Sequence, residues 1–259
     1  MYTTLCGFEI AYEEAGQGTP LLMMHAFPLD RRIFRPLPAA RLITFDAPGA
    51  GESPVPAGIV SIDALADAAA ALLDHLGLAR AVVGGVSMGG YAALRFVARR
   101  PERLLGLVLA NTRAAADTEQ AKQARYEMVD AVRREGSAEI ARRMVPRLLG
   151  ESTRRENPAL VEKVTRWIEA QPADGIARLL EALATRADST AVLASIGVPA
   201  LVVAGEEDRI ASPEETRGWA GQIAAARVEI IPRAGHLPCL EQPEAFETAL
   251  SAFLARLGS

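Results

Sequence analysis

The chain has 259 residues, of which 50% are hydrophobic and 23% charged. That balance supports a large buried core and excludes wholesale disorder, and the length suits one α/β unit carrying an insertion. A net charge of -4, with basic residues dispersed along the chain, excludes the basic face of a nucleic-acid-binding protein. The longest apolar runs, Leu104 to Ala110 and Ala68 to Leu73, fall far short of the roughly 18 residues of a spanning helix, so no membrane partner is expected. Met1-Tyr2-Thr3-Thr4 lacks the basic and apolar regions of an export signal, and a cytoplasmic location is expected. Two cysteines, Cys6 and Cys239, are too few for a disulfide framework and have no metal-ligand spacing; both are expected as packed thiols.

In chain order, Tyr2 to Cys6 and Phe8 to Glu14 read as two strands turning at Gly7. Short apolar runs then alternate with helical stretches: Pro20 to Met24, Arg41 to Phe45, Ala81 to Val86, Gly106 to Ala110, Pro199 to Ala204 and Val228 to Ile231. Between them lie predicted helices at Ile62 to Leu76, stopped by Gly77, and at Met88 to Arg100, stopped by Pro101. Such alternation predicts an α/β fold with a mostly parallel sheet. One interval breaks the rhythm. From residue 113 to 189 the sequence is charged, Arg-rich and helical, with expected helices at Thr118 to Glu135, Ser137 to Leu149, Pro158 to Ala170 and Gly175 to Ala187. The expected organisation is a core of residues 1–112 and 190–259 with a helical cap at 113–189.

The sharpest motif is Gly85-Val86-Ser87-Met88-Gly89, a G-x-S-x-G between a predicted strand and a predicted helix. A sharp turn there holds Ser87 above the sheet edge and needs small neighbours, which Gly85 and Gly89 supply. A Gly-rich connection holding a serine by chance would spell the same five letters, so the motif depends on its partners. A serine hydroxyl is a weak nucleophile unless a base takes its proton. Of three histidines, His236 lies in Arg233-Ala234-Gly235-His236-Leu237-Pro238, a loop after the last strand, whereas His75 ends a helix beside Asp74 and reads as solvated or capping. The matching carboxylate follows the preceding strand, where Glu206, Glu207 and Asp208 stand in a row. Asp208, three residues past Gly205, is preferred, with the glutamates expected in solvent and kept as alternatives.

The order Ser87, Asp208, His236 resembles that of the α/β-hydrolase superfamily, and the likeness covers nearly the whole chain. His25-Ala26-Phe27-Pro28 is similar to the family's His-Gly-x-Pro loop, and Asp46-Ala47-Pro48-Gly49-Ala50-Gly51-Glu52-Ser53 to its D-x-P-G-x-G-x-S loop. Ala26 departs from the usual glycine, and Ala50 from an often bulky residue. The resemblance implies that the Phe27 and Met88 N–H groups form an oxyanion hole, with His25 orienting the loop. Within the superfamily the elbow, the stretch Leu109 to Ala114 and the ending Leu237 to Pro243 resemble small bacterial serine esterases and 3-oxoadipate enol-lactonases.

The implied activity is hydrolysis of a small ester or lactone through an acyl-enzyme, without a cofactor or a metal. A cofactor-free haloperoxidase or perhydrolase using the same residues is one alternative, and a non-enzymatic ligand-binding module on this fold is another. Tyr126, Met128, Met144, Trp167 and Ile168 are candidate cap residues over Ser87, with helix-core packing the competing reading for each. Arg113 is a candidate anchor for a substrate carboxylate, against a solvated arginine.

Overall fold

In the computed structural model, which describes residues 1–257, the chain opens as a hairpin of β1 (Tyr2–Leu5) and β2 (Phe8–Ala15). The connecting Cys6 and Gly7 both take positive φ, 52° and 84°, as two-residue hairpin turns require. That turn carries Cys6 out of the pleat, so Cys6 is exposed rather than packed, while Cys239 is buried as expected. The chain continues through β3 (Thr19–Met24), β4 (Ala40–Phe45), α1 (Ile62–His75), β5 (Ala81–Val86), α2 (Met88–Arg99) and β6 (Leu104–Ala110). Five helices follow: α3 (Glu119–Glu135), α4 (Ser137–Leu148), α5 (Glu151–Glu156), α6 (Pro158–Glu169) and α7 (Ala173–Ala184). Then come β7 (Ala200–Gly205), α8 (Pro213–Ala220), β8 (Ala226–Ile231), α9 (Pro238–Glu241) and α10 (Pro243–Leu257).

All eight strands join one sheet in the order β1-β2-β4-β3-β5-β6-β7-β8. The first hairpin and the β2–β4 pair are antiparallel and every other pair is parallel. Strands β5 and β7 are buried along their whole length, which is why they read as continuous apolar runs rather than alternating ones. The chain moves outward from β3 to β4, then crosses back to β5 and proceeds the other way. Loops leaving β3 and β5 therefore diverge, opening the crevice at which ligands bind in open α/β sheets. Register brings the loops together. Met24 pairs with Phe45 and Gly85, Val86 with Ala110, Ala110 with Val203, and Gly205 with Ile231. His25, Ser87, Asn111, Asp208 and His236 thus all follow strand ends on one edge of the sheet.

The segment between β6 and β7 differs from its expected form: it holds five helices rather than four, and the last of them runs over Ala173–Ala184 rather than Gly175 to Ala187. Helix α5 has six residues, Glu-Ser-Thr-Arg-Arg-Glu, with no apolar period to announce it. Helix α7 starts at Ala173, not Gly175, because Pro172 takes the N-cap position. Gly175 lies inside it where the helix crosses the core loop: a Cβ there would stand 1.9 Å from the Gly49 carbonyl oxygen. The remaining boundaries follow local signals, with Thr118 accepting from Ala121 N at the start of α3, Asn157 from Leu160 N at the start of α6, and Gly136 (φ 81°) separating α3 from α4. Helix α8, with Ser212 as its cap and Pro213 in its first turn, went unread in the sequence. Gln171, between α6 and α7, fastens this helical segment to the loops after β3 and β4, accepting from Gly51 N at 2.8 Å and donating to Asp30 Oδ2 at 2.7 Å. No helix among the described residues is long and apolar enough to cross a membrane.

Candidate active site

Ser87 stands between β5 and α2 with φ 53° and ψ −110°, a conformation that costs an L-residue about 1–3 kcal/mol. Its surroundings hold it there. The Ser87 N–H donates to the Ala110 carbonyl at 2.8 Å, and the Ser87 carbonyl accepts from Gly90 N, Tyr91 N and Thr112 Oγ1. The backbones cross too closely for side chains: a Cβ on Gly85 would lie 2.2 Å from the Gly89 carbonyl carbon, and one on Gly89 2.0 Å from the Met24 carbonyl oxygen. Both glycines of the motif are therefore required by space.

The first amides of a helix lack intrahelical acceptors. In α2, Gly89 N donates to the His25 carbonyl at 3.1 Å, and Gly90 N and Tyr91 N to Ser87. Of these four N–H groups, Met88's, beside the serine, has no backbone acceptor among the described residues. His25 is buried and doubly bonded: Nε2 accepts from Ala47 N at 2.9 Å, which leaves Nδ1 to donate to the Ala26 carbonyl at 3.0 Å. The ring thus ties the His25–Pro28 loop to the one after β4. Ala26 keeps its φ out of the positive region, so the Cβ that departs from the family glycine is accommodated without strain. Ala50 is buried in its own loop, its N–H on the Ala47 carbonyl.

His236 and Asp208 meet at the other end of the same sheet edge. Nδ1 of His236 lies 2.8 Å from Asp208 Oδ2, with both side chains almost fully buried. The second Asp208 oxygen accepts from Ile210 N at 2.7 Å and Ala211 N at 3.2 Å. Burial alone would raise the Asp208 carboxyl, but the His236 ring, the Asn111 amide and the Ile210 N–H together hold it below its ordinary value. Of the alternative carboxylates, Glu206 is exposed and accepts from Arg233 N. Glu207 is not in solvent as expected: it is half-buried and accepts from Ser152 N at 2.8 Å, because α5 docks on it. Asp208 alone of the three reaches the histidine ring. Among the described residues there is no Ser87–His236 hydrogen bond, and Nε2 of His236 carries none.

Asn111 and Glu241 were not singled out from sequence. Asn111, fully buried at φ 47°, donates from Nδ2 to Asp208 Oδ2 at 2.7 Å and to the Gly235 carbonyl at 3.1 Å. Its tolerance of left-handed backbone and its two amide hydrogens suit it to this bridge. Glu241 accepts from Gly235 N and Leu237 N on either side of His236, and from Gly150 N and Thr153 Oγ1 in the insertion. Burial pushes its carboxyl above the ordinary range against the pull of those four donors.

The candidate substrate-binding residues differ in their surroundings. Arg113 pairs with Glu215 of α8 at 2.7 Å, which argues for the surface reading over a carboxylate anchor. Tyr126 is 42% exposed. Trp167 stacks beneath Arg32 and Lys163, at 5.0 and 4.5 Å from the ring centre. Met144 and Ile168 belong to the buried core, and Met128 packs against it. His75 is exposed and meets the Tyr12 ring edge-on. Among the described residues no group of three or more His, Cys, Asp or Glu side chains could hold a metal ion.

These features define a class, and the family comparison agrees: the model of the alpha/beta hydrolase fold matches residues 19–243. The chain belongs to the alpha/beta hydrolase fold family. It is 34% identical to 3-oxoadipate enol-lactonase 2 of Acinetobacter baylyi over 215 residues, covering 83% of this chain and 79% of that one. Among solved structures, a thermophilic esterase from Thermogutta terrifontis superposes with a TM-score of 0.94 at 39% identity, covering 100% of this chain and 99% of the esterase. The enol-lactonase from Burkholderia xenovorans LB400 gives 0.90 at 27% identity, with 98% and 100% covered.

Proposed function

We propose that the protein hydrolyses small carboxylic esters or lactones through an acyl-enzyme on Ser87. The observation that carries this reading is a strained serine at a helix N-terminus on the same sheet edge as the buried His236–Asp208 pair. Asp208 accepts from Nδ1–H, which fixes the tautomer and leaves Nε2 as the base. Nε2 takes the Ser87 proton as Oγ attacks the substrate carbonyl carbon, and the carbonyl electron pair moves to oxygen. The N–H groups of Met88 and Phe27 receive that oxyanion. Collapse expels the alkoxide, which takes the proton from His236; in a lactone the alkoxide stays attached to the acyl group. Water, deprotonated by His236, then releases the carboxylic acid and restores Ser87.

Likeness to an esterase and to enol-lactonases supports both ester and lactone substrates. The pairing of Arg113 with Glu215 favours neutral over acidic ones. In this reading residues 113–189 form a cap over the site, inserted into a core of 1–112 and 190–259. A fluorophosphonate probe tests the assignment without knowledge of the substrate. Intact mass and peptide mapping are expected to find one adduct, on Ser87, absent from Ser87→Ala. An unlabelled folded protein, or a Ser87→Ala variant with full esterase activity, would overturn it.

A further inference from the structure

The three amides around the candidate base are all committed to groups outside their own loop. Gly235 N and Leu237 N donate to Glu241 Oε1 at 2.9 and 3.0 Å, and His236 N donates to the Leu148 carbonyl, at the end of α4, at 2.9 Å. The other Glu241 oxygen, Oε2, accepts from Gly150 N and Thr153 Oγ1, both at 2.7 Å. Gly235 and Gly150 touch directly, since a Cβ on Gly235 would stand 2.3 Å from Gly150 N. Glu207 holds Ser152, between Gly150 and Thr153, through its N–H. The histidine is therefore gripped by its ring on the core and by its backbone on the insertion.

We propose that Glu241 is a positioning residue for the base: its two oxygens lock the backbone on either side of His236 to the Gly150–Thr153 turn of the insertion. This part of the insertion is a fixed buttress of the site. Any opening for substrate belongs to the elements farther from it. The carboxylate is chemically specific here, because only a group with acceptors at both ends satisfies two donors on each side. A glutamine offers one carbonyl acceptor and one amide NH2, so it faces a pair of donors with a donor whichever way it turns.

The inference rests on the Ser87–His236 reading, and its test separates the two. Glu241→Gln is compared with the wild type for kcat and KM on a p-nitrophenyl ester, for the rate of fluorophosphonate labelling, and for the downfield Nδ1–H proton resonance of His236. The expected result is a kcat lowered about tenfold with KM within about twofold, parallel slowing of labelling, and a shifted or broadened resonance. Wild-type kcat and an unmoved resonance in a folded variant would overturn the proposal, even if its melting temperature had fallen. If the wild type neither labels nor turns over, the Ser87 reading fails and the resonance alone judges the clamp. Should Glu241→Gln not fold, Thr153→Val decides, since it removes one donor from Oε2. A fall in kcat of about threefold at constant KM supports the clamp, and an unchanged kcat refutes it.

Discussion

At Asn111 one amide group stands between the acid loop and the histidine loop, donating to Asp208 and to the Gly235 carbonyl. Asn111→Gly keeps the backbone free at φ 47° and removes only those two bonds. Leaving a buried acceptor unpaired costs about 1–3 kcal/mol. If half of this falls on the step where Asp208 must face an imidazolium, kcat drops about two- to twelvefold with KM little changed. Steady-state kinetics on a p-nitrophenyl ester checks it, and an unaltered kcat would mean that Ile210 N, Ala211 N and His236 suffice to fix the carboxylate. Residues of this kind are the least legible in sequence. Ser87 is announced by glycines at fixed spacing, and Asp208 by its place after Gly205 and its order in the chain. Asn111 and Glu241 lie outside any catalytic spacing, and their roles exist only once four strand ends have been brought into register.

Elements were read best where burial imposes a period. The parallel strands and helices α1 and α2 on either side of β5 lie within a few residues of their expected bounds, because β5 and β7 are buried throughout and Gly77 and Pro101 punctuate the helices. The polar six-residue α5 was missed, since it owes its existence to Glu207 and Glu241 rather than to an apolar stripe. The two ends of the α3–α7 segment are tied together by another polar device. Arg186, from the segment after α7, is 3% exposed at its side chain and pairs with Asp117, before α3, at 2.6 Å. Its guanidinium also lies 4.3 Å over the Tyr91 ring in α2 and donates to the Ala115 carbonyl. Asp117→Asn keeps the shape and strands Arg186 without its counter-charge. Breaking a buried pair from one side costs about 3–5 kcal/mol, so a calorimetric melt is expected to drop by about 10 °C. A shift under about 2 °C would show that Tyr91 and the carbonyls carry the arginine unaided.

For the whole molecule, the buried carboxylates set the response to acid. Burial works to raise Asp30, Asp117 and Asp208, but their partners override it: Arg32 chiefly for Asp30, Arg125 and Arg186 for Asp117, and His236 with Asn111 for Asp208. All three titrate below their ordinary value in the folded state, so the unfolded chain binds their protons first as pH falls. Their contribution to stability is complete above the unfolded carboxylate range near about pH 4 and is lost as pH drops through that range toward the folded values. Glu241 acts in the opposite sense, because its raised folded value lets the native state take up a proton first and gain relative stability on acidification. Glu139, held down by Arg142 and Arg143, and Asp188, held down by the Ala116 and Thr190 N–H groups, add to the depressed side, so the depressed carboxylates outnumber the raised Glu241 and leave a net loss. The melting temperature is expected to be nearly level between about pH 7 and 5 and to fall steeply below about pH 4. Asp117→Asn, which removes one of the depressed groups, should shallow that acid limb while lowering the neutral plateau. A parallel displacement of the whole profile would show instead that Asp117 titrates alike in the folded and unfolded chain, and that its value to the fold is packing rather than charge.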